Sequence, residues 1–149
     1  MTTPSTLSTA TRPDDAGVQG RLAFVRRLWL ACGLVSLAGL AIAAVLTLVD
    51  PIDVTWVVWL RGGVVAVASF ILMAVTGAAA RGSRGAYVRL RWISILAPIG
   101  IVVILMAPDA GYPLWMKVEQ AIVGVLILTM AIQLNSRAVR NAFPRPARR

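Results

Sequence analysis

The sequence predicts an all-α polytopic membrane protein: four transmembrane helices arranged as two hairpins, with both the N and C termini cytoplasmic. Three observations predict it. Four long apolar stretches fill most of the chain, at about residues 28–49, 56–80, 92–107 and 114–134. The 149 residues are 58% hydrophobic and only 14% charged, outside the usual range of a soluble domain. The charges are also sorted. Every basic residue except Arg61 and Lys117 lies before the first stretch, between the second and third, or after the fourth, whereas Asp50, Asp53 and Asp109 occupy the other two connections.

The hydrocarbon core of a bilayer is about 30 Å thick, so a spanning helix needs about 20 apolar residues. The first, second and fourth stretches meet that length. The third borrows from residues 86–90, where Tyr87 suits the interface and the flanking arginines can snorkel. Backbone in lipid must satisfy its own N–H and C=O groups, which makes each stretch helical. Unbroken apolar runs of this length do not suit barrel strands, which are short and alternate.

Residues 1–20, rich in Thr, Ser, Pro and Asp, read as a disordered cytoplasmic tail. The apolar run after them is too long for a cleaved signal peptide and is followed by Asp50-Pro51, not a small-residue cleavage site. Residues 21–136 form the four-helix domain. Residues 137–149 read as a basic cytoplasmic tail in which Pro144 and Pro146 stop any helix. By the positive-inside rule the basic segments face the cytoplasm, which places the protein in the plasma membrane as a multi-pass protein. The net charge of +9 is thereby assigned to topology and anionic headgroups, and not to nucleic acid. In the last segment Arg137, Arg140, Arg145, Arg148 and Arg149 are candidate contacts for anionic lipid or an acidic partner. The excess of arginine over the single Lys117, with abundant alanine, is the bias of a high-GC bacterial genome.

The two halves read as variants of one hairpin, a possible tandem repeat. Val25-Arg26-Arg27-Leu28-Trp29 is matched by Val88-Arg89-Leu90-Arg91-Trp92, and Trp59-Leu60-Arg61 by Trp115-Met116-Lys117. Two unrelated hairpins that obey the same charge rule would place tryptophan and arginine in the same way.

Several chemistries lack their parts. There is no histidine, and the single Cys32 lies within the first span, so intramolecular disulfides and dithiol redox centres, common zinc and haem ligand sets and histidine-assisted nucleophiles are excluded. No acidic residue falls in the middle of a span. No catalytic residue, cofactor or metal is expected, and the chain reads as a non-enzyme.

The candidate polar site is Arg61, Lys117 and Glu119, each about one turn inside the outer end of its helix, below Trp56, Trp59 and Trp115. Indole prefers headgroup depth, and a charge below that belt must snorkel, pair or face water. Arg61 and Glu119 fall at similar depth and are expected to pair, either fastening the second helix to the fourth or lining an outer-face vestibule. Small residues mark candidate packing faces: Cys32, Ser36, Gly39 and Ala43 on the first helix, Gly62, Ala66, Ser69 and Thr76 on the second, and Ala121, Gly124 and Ala131 on the fourth. Pro98 interrupts the third helix, with Ser94 and Gly100 placed to accommodate a kink. By elimination the chain reads as an accessory, assembly or interaction subunit that contacts another membrane protein or copies of itself. The alternative is a small transporter or channel working through an outer polar vestibule.

Overall fold

The computed structural model describes residues 12–49, 56–106 and 114–144. The expectations for Asp50, Asp53, Asp109, Arg145, Arg148 and Arg149 lie outside the described residues. The described chain is helical, with α1 (Ala16–Val49), α2 (Trp56–Ala80), α3 (Arg84–Met106), α4 (Leu114–Leu134) and a short α5 (Arg137–Ala142). The first four are each long and apolar enough to cross a membrane.

The helices close a ring. α1 packs against α2 and α4, and α3 against α2 and α4; among the described residues α2 and α4 make no direct backbone contact and face each other diagonally. Neighbours run antiparallel. Gln19 near the start of α1 donates to the Ala80 carbonyl at the end of α2 (2.8 Å), and Arg21 donates to Gln133 near the end of α4 (2.7 Å). Arg12, Arg21, Arg81, Arg84, Arg91 and Arg140 therefore gather at one end, and Arg61 and Glu119 lie toward the other.

The buried face of α1 is one unbroken seam: Val18, Leu22, Val25, Trp29, Cys32, Ser36, Gly39 and Ala43. Alternating steps of four and three residues keep a side-chain row facing its neighbours, as in left-handed bundle packing. The seam starts inside residues 1–20, so part of the expected disordered tail is helix. The Asp15 carbonyl accepts from the N–H groups of Val18 (2.9 Å) and Gln19 (3.0 Å), while its carboxylate accepts from Arg12 N (2.8 Å). Burial of Val18 and Leu22 then holds this turn against the bundle. With 34 residues at about 1.5 Å each, α1 is about 51 Å long and extends beyond a bilayer core.

The connection between α2 and α3 is a tight reversal. Ser83 N donates to the Ala78 carbonyl (3.1 Å) and Gly82 N to the Ala79 carbonyl (2.9 Å), with Gly82 at φ +90°. These are the two bonds of a Schellman cap, whose left-handed residue is cheapest as glycine. α3 runs through Pro98 as one helix, and the buried Ser94 hydroxyl donates to the Arg91 carbonyl (3.0 Å).

The segment after α4 also departs from a free tail. α5 ends at Ala142, ahead of Pro144, and packs on α1 and α4 through buried Val139 and Ala142. The buried Phe143 ring stacks on Tyr87 of α3 with centroids 4.5 Å apart. The apolar residues between the arginines had a use that their basic neighbours obscured.

Candidate functional site

Two polar regions stand out, one toward each end of the bundle. The first lies between α1, α2 and α4. It separates the main apolar core, which includes Cys32, Leu72 and Val123, from a small outer core of Ala43, Val58 and Met116. Ser36 and Gly39 line it from α1, Arg61 and Gly62 from α2, and Glu119 and Gln120 from α4. Residues 61 and 119 are thus brought to one cavity, close enough for their opposite charges to act on each other. Because α2 and α4 are diagonal, the two side chains act on each other across the bundle interior and not along a helix–helix seam.

Glycine makes the arrangement possible. A Cβ on Gly39 would stand 3.1 Å from the Glu119 carboxyl carbon and 3.1 Å from Oε2, so the carboxylate lies directly on the α1 backbone. A Cβ on Gly62 would meet the Leu40 side chain at 2.7 Å, so that glycine admits α1 beside Arg61. Lys117 is exposed and does not line the cavity.

The hydroxyls sort into two kinds. Those of Thr47, Ser69, Thr76 and Thr129 donate to carbonyls four residues back in their own helices, at 2.7–2.8 Å. This is the usual way to satisfy such a group in lipid. The fully buried Ser36 Oγ has no partner of hydrogen-bonding geometry, although it lies near enough to the Glu119 carboxylate to interact. The cavity measures about 10 Å³. A site of that size holds about one water and excludes an organic substrate.

The expected packing residues divide by helix. Cys32, Ser36, Gly39 and Ala43 are all buried on α1, and Ala66, Ser69 and Thr76 on α2, with Gly62 half-buried. On α4, Ala121 is exposed and Ala131 half-buried, while Gly124 is half-buried and admits α3 closely: a Cβ there would stand 3.3 Å from Ile101. The buried face of α4 is Met116, Gln120, Val123, Ile127, Met130 and Leu134.

The second polar region lies at the basic end. The Tyr87 hydroxyl donates to the Leu134 carbonyl (3.0 Å), capping the end of α4 from α3. Arg91 Nε donates to Asn135 Oδ1 (2.7 Å), whose amide returns to the Ala131 carbonyl (2.8 Å). Arg137 and Arg140 are both exposed. Arg140 lines a cleft of about 710 Å³ that also includes Arg84 and Arg91. The sequence reading missed the part played by the latter two, because their partners come from α5 and the turn before it. No group of three or more His, Cys, Asp and Glu side chains that could hold a metal occurs among the described residues. No family model, curated protein or solved structure matches this chain.

Proposed function

We propose that this integral membrane protein is a non-enzymatic accessory or assembly subunit, acting through contacts with another membrane protein or with further copies of itself. In this reading the basic end and both termini face the cytoplasm, and the membrane is the plasma membrane. The observation that carries the proposal is the size of the Arg61–Glu119 cavity. About 10 Å³ leaves no room for a transported solute beyond a water-sized one. Of the residues that could have formed a vestibule, Arg61 and Glu119 line the small cavity among three helices, and Lys117 stays outside it.

The outward faces are also suited to lateral association. α2 presents Leu60, Gly63, Val64, Val67, Ala68 and Ile71 around an apolar groove, where Gly63 meets no neighbouring side chain. Helices in lipid associate by close packing over small residues, and such a groove admits a neighbouring helix. α2 is thus the first face to examine for a partner.

The transporter or channel reading draws its support from Ser36, whose unpartnered hydroxyl beside Glu119 is the kind of group a passing ion or water would use. Reconstitution into proteoliposomes separates the two. The accessory reading expects ion flux no greater than that of empty vesicles, and expects Glu119→Gln to loosen the bundle. A wild-type flux that Glu119→Gln abolishes, with the bundle intact, would establish the transporter reading instead.

A further inference from the structure

We propose that the cleft between α3 and the segment following α4 is a specific binding site for the phosphate of an anionic phospholipid headgroup. Arg84 and Arg91 from α3 and Arg140 from α5 all line it, and among the described residues no carboxylate does. Arg84 Nε is buried without a hydrogen-bond partner. A buried guanidinium N–H needs an acceptor, and a phosphate oxygen supplies one with its charge matched.

The arginines are held in place by the fold. Arg91 is oriented by its 2.7 Å bond to Asn135, which leaves its terminal nitrogens for a ligand. The Tyr87–Phe143 stack forms the back of the cleft and ties α5 to α3. Both Arg91 and Arg140 stand close enough to Tyr87 for their charges to act on its hydroxyl, so the positive groups surround one spot.

The lateral wall decides between lipid and a free anion. Val88, Trp92 and Ile95 line the cleft on the exposed side of α3, with Trp92 61% exposed. A soluble phosphate would have no use for that wall, whereas an acyl chain descending from a bound headgroup would lie along it. Trp92 belongs at headgroup depth, which puts the guanidinium groups level with lipid phosphates. The cleft volume of about 710 Å³ accommodates a glycerophosphate head with part of its chains.

The test is native mass spectrometry of the full chain in mild detergent, titrated with phosphatidylglycerol or with phosphatidylcholine. One phosphatidylglycerol should be retained at least about tenfold more tightly than phosphatidylcholine, the loss expected for one charged hydrogen bond or more. The triple variant Arg84→Gln, Arg91→Gln, Arg140→Gln should lose that preference. A control with the same charge removed elsewhere, Arg81→Gln, Arg89→Gln, Arg137→Gln, should keep it. Should the cleft triple unfold, the exposed Arg140→Gln and the charge-conserving Arg84→Lys take its place, each weakening retention roughly tenfold. Equal loss in the control triple would overturn the proposal, because it would reduce the effect to general surface charge. Displacement of the lipid by millimolar inorganic phosphate would also overturn it, by assigning the site to a free anion.

Discussion

Gly39 on α1 lies directly against the carboxylate of Glu119 on α4, where an added Cβ would stand 3.1 Å from the carboxyl carbon and the carboxylate would have to shift to admit it. A glycine and a charged residue from different helices thus define one position, at the level where the small outer core gives way to the main one. Gly39→Val is expected to push the carboxylate off its seat and destabilise the bundle by about 1–3 kcal/mol, the usual cost of overpacking. Gly63, one helix away, meets nothing within 4 Å. Gly63→Ala should be neutral or stabilise by up to about 1 kcal/mol through helix propensity alone. Thermal unfolding of both variants in nanodiscs checks the contrast.

If Arg61 and Glu119 act together across the bundle, their substitutions will not add. Arg61→Gln, Glu119→Gln and the double variant should show a coupling of about 0.5–3 kcal/mol, the range for residues in one polar network. Additive effects would mean that each charge makes its own separate arrangement. Lys117→Gln, exposed and outside the cavity, should shift stability by no more than about 0.5 kcal/mol.

At the other end, Tyr87→Phe removes the 3.0 Å bond to the Leu134 carbonyl while keeping the ring stacked on Phe143. The expected cost is about 1 kcal/mol, more if the carbonyl stays buried and unpaired. Phe143→Ala removes the stack and should cost roughly 3 kcal/mol, loosening α5 by losing its tether to Tyr87. Hydrogen exchange over Arg137–Ala142 distinguishes the two, because only the second should expose α5 amides rapidly.

Orientation is tested at the α2–α3 reversal. Ser83 is exposed there, while the native Cys32 is buried. In a Cys32→Ala background, Ser83→Cys should react with a membrane-impermeant maleimide only from the cytoplasmic side. Labelling of intact cells from outside would reverse the proposed orientation.

The number of membrane-capable helices was legible because lipid leaves the sequence few options: long apolar runs must be helices. α1 and α3 begin well before their apolar runs, at Ala16 and Arg84, in polar turns that carry no such signal. The α1 packing face from Cys32 to Ala43 was legible for a related reason, since small residues at helical spacing have little use in lipid except close approach. The rest of the same seam, Val18 to Trp29, was not, because arginines and a polar leader interrupt it and its register is visible only once Cys32 is fixed. On α4, Gly124 was legible as a place of close approach. Met116, Val123, Ile127 and Met130, which carry most of the buried face, were not, because large apolar residues look the same facing lipid or facing the bundle. Arg61 and Glu119 were found from their depth below the tryptophans. The Arg84–Arg91–Arg140 cleft was not, since it depends on a short helix packing on α1 and α4 and on Phe143, just after it, stacking on Tyr87 of α3.

The central claim is that this bundle works through contacts and not through passage of a solute. The most direct measurement is purification in native nanodiscs from the source membrane, followed by mass spectrometry of every co-purifying chain and the mass of the intact particle. The account predicts stoichiometric recovery of another membrane protein, or a discrete oligomer of this chain that carries no flux, and loss of that association when the α2 face is altered by Gly63→Leu. Recovery of this chain alone as a discrete oligomer that sustains flux after reconstitution would contradict it.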